Sequence, residues 1–208
     1  MHMTFGRSCG GGSLRPRTVV VAQPPRVEPI TLTEAKEHLR IFPEYAEDDP
    51  YVQGLITAAR RVAEESIGIA WALKQYRAKV CGCIGCSCSC GCNDAGIELP
   101  HPPVLVDDDH PVTVETPDGF VPPEDFAVDA DRFPAVLVPL RGWRGPATIH
   151  YWAGVLPGVQ AFEMARTGCL QLIGHWYRNR ESVSEQPLAK VPQSVDYLFG
   201  LERQAWRL

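Results

Sequence analysis

The 208-residue sequence predicts an α+β fold, a mostly helical body into which a small antiparallel β-domain is inserted. Three observations lead there. Apolar side chains recur at three- and four-residue steps from Ala35 to Ile67, short alternating runs bounded by Gly, Pro and Asp replace that spacing from Trp71 to Trp152, and helical spacing returns after Pro157. A composition of 45% hydrophobic and 22% charged residues is that of a globular chain, not of a disordered or collagen-like one.

Taken in order, residues 1–28 read as a flexible arm. Gly10-Gly11-Gly12-Ser13 and Pro24-Pro25 flank one β-branched run, Val19–Val21, which forms an edge strand only where it finds a partner. A body over 29–183 follows. Thr31 and Glu34 have capping-box spacing, and Ala35, Leu39 and Phe42 then share a face of a helix over 31–42 that Pro43 ends. Asp48-Asp49-Pro50 supplies N-terminal acids and an N1 proline for a second helix over 48–68, with Val52, Leu55, Ile56, Ala59, Val62, Ala63 and Ile67 following at three- and four-residue steps. The β-rich insert covers 72–153. Its strands are expected at Lys74–Val80, Ile97–Leu99, Pro111–Glu115, Phe126–Val128, Ala135–Leu140 and Ala147–Trp152, with turns at Pro117-Asp118-Gly119 and Arg141-Gly142. A long helix over 157–181 carries a stripe of Val159, Phe162, Cys169, Leu172, Ile173 and Trp176. Gly168 and Gly174 inside it each cost about 1 kcal/mol against alanine, which points to close helix packing. Residues 184–208 form a proline-bearing linker and an amphipathic terminal segment, helical over Ser194–Trp206.

The formal charge is −5, and four of the 20 basic residues fall in residues 1–27, which hold no acid; the remainder therefore carries 16 basic against 25 acidic groups. That balance argues against a dedicated nucleic-acid binder. No run of about 18 apolar residues is present and Thr18–Ala22 is too short for a leader core, so neither a membrane span nor secretion is expected. There is also no phosphate loop, dinucleotide fingerprint or nucleophile elbow.

An ordered set of segments resembles a known family. Pro29-Ile30-Thr31-Leu32-Thr33-Glu34-Ala35-Lys36-Glu37-His38-Leu39, Asp48-Asp49 and Ile56-Thr57-Ala58-Ala59-Arg60-Arg61-Val62-Ala63-Glu64 come first. Leu99-Pro100-His101-Pro102-Pro103-Val104, Ile149-His150-Tyr151-Trp152-Ala153-Gly154 and His175-Trp176-Tyr177-Arg178-Asn179-Arg180-Glu181 follow. Together they resemble the head-tail connector proteins of tailed bacteriophages, the adaptors that dock on the portal. The resemblance implies a structural virion protein and no enzyme: a homo-oligomeric ring, commonly of twelve copies, under the portal. Such a ring extends the DNA channel, through which double-stranded DNA passes without sequence preference, and offers the attachment site for the tail or the next neck protein. It also implies assembly in a host cytoplasm, residence in the neck of a phage or phage-like particle, and no contact with a membrane. In the family the C-terminal segment reaches toward the portal.

In this chain that segment carries Val195, Leu198, Phe199, Leu201, Trp206 and Leu208, candidate anchors for the portal, since buried aromatic anchors dominate interface energies. The competing reading is that they fold back on their own core.

Six of the eight cysteines lie in Cys81–Cys92, where the resemblance implies a simple strand connection. Cys83, Cys86, Cys88, Cys90 and Cys92 have three readings: free thiols in a Gly/Ser/Cys loop, disulfides to Cys9, to Cys169 or to a neighbouring subunit, or a zinc site. Only Cys83-x-x-Cys86 has the knuckle spacing of structural zinc, with His101 and His110 the nearest later imidazoles. No other cofactor is expected. The alternative function is accordingly a small cysteine-rich metal-binding or redox protein centred on residues 81–92. The acidic groups Glu47-Asp48-Asp49, Asp107-Asp108-Asp109 and Glu124-Asp125 read as helix caps and solvated turns rather than as catalytic carboxylates.

Overall fold

The computed structural model describes residues 14–81, 96–143, 145–159, 161–180 and 193–205. They form a mixed α+β structure of two compact units, a β-unit of residues 14–24 with Lys74–Ala153 and a helical unit of Pro25–Leu73 with residues 154–205. No helix among the described residues is long and apolar enough to cross a membrane.

The β-unit contains strands β1 (Thr18–Gln23), β2 (Lys74–Val80), β3 (Ile97–Leu99), β4 (Val104–Leu105), β5 (Thr113–Thr116), β6 (Gly119–Val121), β7 (Phe126–Asp129), β8 (Ala135–Pro139) and β9 (Ala147–Ala153). One antiparallel sheet has the order β1-β2-β9-β5-β6, with β4 also paired to β9, and a second has the order β3-β8-β7. The long central pair β2 and β9 alternates strictly: Tyr76, Ala78 and Val80 oppose Tyr151, Ile149 and Ala147 on the buried face. Tyr76 stacks on Tyr151 at 5.5 Å and on His101 at 4.8 Å, and the Tyr151 hydroxyl donates to the Pro100 carbonyl at 2.8 Å. The larger sheet is thereby tied to the segment that leaves β3.

Of the arm expected over residues 1–28, residues 1–13 lie outside the described residues, while 14–28 are held by specific contacts. Val19–Val21 do find a partner, since β1 pairs along β2 from Thr18↔Lys79 to Gln23↔Gln75, and Leu14 bridges to Ile97. Glu28 is anchored in the helical unit through Thr57 and Arg60.

The helical unit comprises α1 (Leu32–Leu39), α2 (Asp49–Ile67), α3 (Glu163–Arg178) and α4 (Gln193–Ala205). Its core joins Ile30, Val52, Ile56, Ala59, Ala63, Phe162, Cys169, Leu172, Ile173, Val195 and Phe199. The expected cap of α1 forms, with the Glu34 N–H donating to Thr31 Oγ1 at 3.2 Å, but the helix ends at Arg40 in the left-handed region, short of Phe42. Phe42 is 79% exposed and belongs to the loop. Likewise α3 starts six residues after Pro157: Val159 is exposed before it, and Phe162 adopts a left-handed conformation at its N-cap. Gly154 has φ of +127°, and a Cβ there would meet the Leu73 backbone at 2.6 Å. A glycine is required where the strand β9 hands over to the helical unit.

Candidate functional site

The terminal helix decides where the candidate anchors lie. Val195 is 0% and Phe199 3% exposed, both within the helical core. The Phe199 ring covers Gly168 of α3, where even a methyl group would sit 2.6 Å from its Cε1. This is the close packing that the two glycines of α3 announce, and Gly174 similarly faces the His38 ring. A polar lock completes the contact. Phe162 at the N-cap offers no side-chain cap bond, and the buried Glu202 carboxylate of α4 accepts from the Met164 and Ala165 N–H groups at 3.1 and 3.2 Å. Ser194 donates to Gln171 at 2.8 Å, and Arg203 donates to the Ser66 carbonyl. Val195 and Phe199 are therefore corrected from partner anchors to core residues. Leu198 and Leu201 are half-buried, Tyr197 is exposed, and Trp206 and Leu208 lie outside the described residues.

Beneath this helix the unit is held by charges that are already paired. Arg60 is buried between Glu28 and Glu64, with its Nε donating to Glu28 at 2.6 Å and its Nη1 to Glu64 at 2.6 Å. Burial works against the guanidinium charge, but the two carboxylates outweigh it and raise its pKa above the ordinary arginine value. The other Glu64 oxygen accepts from the Trp71 and Ala72 N–H groups at 2.9 and 3.1 Å, ending the turn that follows α2. Arg166 holds both Glu34 oxygens at 2.7 Å and the Pro29 carbonyl at 3.0 Å. Lys36, also buried, donates to the Pro43 and Tyr45 carbonyls and pairs with Asp49 at 2.9 Å, fastening the loop between α1 and α2. A cavity of about 300 Å³ is lined in part by Glu28, Glu34, Trp71, Leu156 and Arg166. Both carboxylates at its wall are committed to arginines, so it offers no free acid or base.

Two of the acidic clusters lie at the start of α2 and in the turn before β5. Asp48 occupies the N-cap position of α2, yet its side chain makes no cap bond. It accepts instead from Arg180 at 2.6 Å and from the Tyr177 hydroxyl, and these bonds hold its carboxyl below the usual value. The Arg180 guanidinium also lies over the Tyr51 and Tyr177 rings at 4.8 and 4.5 Å. Asp107 closes a turn by accepting from the Asp109 and His110 N–H groups at 3.0 and 2.8 Å.

Of the cysteines, Cys83, Cys86, Cys88, Cys90 and Cys92 lie outside the described residues, while Cys81 is exposed at the end of β2. Cys169 is removed from the list of disulfide partners. It is fully buried among the helices, donates to the Ala59 carbonyl at 3.4 Å, and burial pushes its thiol up to about 12.

The open face of the larger sheet carries charged side chains that no sequence motif marks. Arg77 and Lys79 stand exposed on β2, Glu115 on β5, and Phe120, 74% exposed, on β6. The signal was present as two-residue alternation in Lys74–Val80 and Thr113–Thr116, but it acquires meaning only once the pairing register is known.

No protein-family model matches the chain, and no curated protein matches it significantly in sequence. Solved structures do match in fold. A chain of the "Virion of native gene transfer agent (GTA) particle" superposes with a TM-score of 0.63 at 16% identity, covering 89% of this chain and 94% of that one. A chain of the neck of the empty GTA particle, computed with C6 symmetry, gives 0.62 at 16% over 89% and 95%. A chain of the neck of the native GTA particle, computed with C12 symmetry, gives 0.62 at 15% over 89% and 94%. In fold, this chain is similar along nearly its whole length to chains of a gene transfer agent particle and of its neck.

Proposed function

We propose that the chain is a structural protein of a virion or phage-like particle, a neck adaptor that forms a ring under the portal. The ring extends the DNA channel and presents the attachment site for the tail or the next neck protein. The observation that carries this reading is fold similarity over 89% of this chain to chains in two neck structures, one computed with six-fold and one with twelve-fold symmetry. The ordered motifs from Pro29 to Glu181 support the same family independently of the fold. The paired state of Glu28, Glu34, Glu64 and Arg166 supports a scaffold and not a catalyst.

Portal contact then rests on the end of the chain beyond the α4 core residues, with Leu198 and Leu201 at its base and Trp206 and Leu208 as anchors. Removing the whole segment after Pro187 would also strip Val195, Phe199 and Glu202 from the helical unit, so the informative variant ends at Ala205. Cryo-electron microscopy of particles containing the chain tests the reading directly. A ring directly below the portal, lost or displaced when residues 206–208 are deleted from an otherwise folded chain, is the expected result. Particles that lack the chain altogether would refute the neck assignment.

A further inference from the structure

Among the described residues, the path β1-β2-β9-β5-β6 runs from one unpaired sheet edge to the other, and its open face changes sign along the way. Register places Thr18, Lys79, Thr148, Glu115 and Phe120 in one row across the sheet, and Val20, Arg77, His150 and Thr113 in the next. Lys79 and Arg77 are exposed on β2, and Arg17 is exposed just before β1. At the opposite edge Glu115 is exposed on β5, Asp118 in the β5–β6 turn and Glu124 just beyond β6. None of these six has an ion-pair partner among the described residues. Lys79 and Glu115 share a row but stand two strands apart, about 10 Å, with Thr148 between them, so the two edges do not neutralise each other within one chain.

Opposite charge on opposite edges of one sheet is complementarity between successive copies. A two-fold contact through either edge alone would bring like charges together, whereas a head-to-tail contact satisfies both edges and passes from copy to copy, as a closed ring requires. The exposed apolar side chains follow the same division, with Val20 at the basic edge and Phe120 at the acidic one. Neither edge is built to extend the backbone ladder. A bulge between Val21 and Gln23 interrupts β1, and Pro122-Pro123 follows β6 directly. The contact is thus one of side chains.

We infer that the β1–β2 edge of one copy docks on the β5–β6 edge of the next copy of this chain, with Arg17, Arg77 and Lys79 facing Glu115, Asp118 and Glu124, and Val20 packing beside Phe120. This rests on the ring reading proposed above and names the surfaces that would close it.

The test uses the full chain and two charge-reversed forms, Arg77→Glu/Lys79→Glu and Glu115→Lys/Asp118→Lys, followed by mass photometry and light scattering at low and high salt. All four positions are exposed, and circular dichroism melting checks that each form keeps its fold. Wild-type oligomers that dissociate with salt are expected, with each variant alone associating at least about tenfold more weakly. Mixing the two variants makes every contact complementary again and restores oligomers of alternating composition. A carbodiimide cross-link from Lys79 to Glu115, Asp118 or Glu124 between isotopically distinct wild-type copies is the matching chemical result.

Oligomers of either variant alone at wild-type strength, or a wild-type chain that stays monomeric at low salt and high concentration, would overturn the edge pairing. Rings that persist in the variants in particles leave the neck reading standing and refute this interface. Absence of the chain from particles refutes the neck reading, while the mixing result still judges the interface.

Discussion

Gly168→Ala is a one-methyl probe of whether α4 belongs to the helical core. A Cβ at this position would lie 2.6 Å from Cε1, 3.2 Å from Cδ1 and 3.3 Å from Cζ of Phe199, a ring that is itself 3% exposed and hemmed in by core neighbours. Two effects compete. Alanine in a helix interior gains about 1 kcal/mol over glycine. Forcing a methyl group into a packed core costs about 1–3 kcal/mol. With α4 docked, the net result is a loss of roughly 0–2 kcal/mol; with α4 free in solvent, only the gain remains. Phe199→Ala alone costs about 3–5 kcal/mol by opening a cavity. In that background the new methyl enters vacated space, so Gly168→Ala becomes stabilising and the pair shows a coupling of about 1–3 kcal/mol. Urea unfolding followed by far-ultraviolet circular dichroism measures all four corners of the cycle. Stabilisation by Gly168→Ala in the wild-type background, with additive behaviour in the double variant, would show that the ring does not cover Gly168.

Three further outcomes follow from particular contacts. Glu202→Ala removes the acceptor for the Met164 and Ala165 N–H groups and should cost about 1–2 kcal/mol, as loss of a helix cap does; hydrogen exchange at these two amides should quicken, and unchanged protection would contradict the cap. Arg60→Ala leaves the Glu28 and Glu64 carboxylates without their buried cation, with an expected loss of about 3–5 kcal/mol in urea unfolding. Asp48 has its carboxyl held below the ordinary value by the bonds from Arg180 and Tyr177, so its contribution is present at neutral pH and fades as pH falls through the acid range below about 4. Asp48→Asn should therefore be less stable than wild type at pH 7, with the gap narrowing toward pH 3; a gap that is constant with pH would discount the ionised carboxylate.

What the amino-acid sequence by itself determined about this chain is its local order: the Thr31 cap, the helix with Asp48 and Pro50 at its start, the β-rich middle, the return to helix, and the glycines that betray a close neighbour. These are properties of spacing and of backbone preference within a few residues, and they need no distant partner to be read. Its acidic body also argued against a nucleic-acid binder, and its ordered motifs resembled those of a structural family.

The fate of groups with two outlets was settled only by tertiary structure. Val195 and Phe199 make equally good partner anchors and core residues, and the choice fell to Gly168, which leaves a hollow on α3 for the Phe199 ring, and to Glu202 of α4, whose carboxylate takes the N–H groups at the α3 start. Val19–Val21 became a strand because β2, more than fifty residues later, offered its edge. Asp48 stands at a helix start yet binds Arg180, which no local rule foresees. The separation of basic and acidic edges on the sheet arises in the same way. Lys79 and Glu115 are 36 positions apart in the chain, and it is pairing of both strands with β9 that sets them in one row on one face. Such arrangements depend on which distant segments meet and in what register, and a one-residue slip would turn every one of these side chains inward.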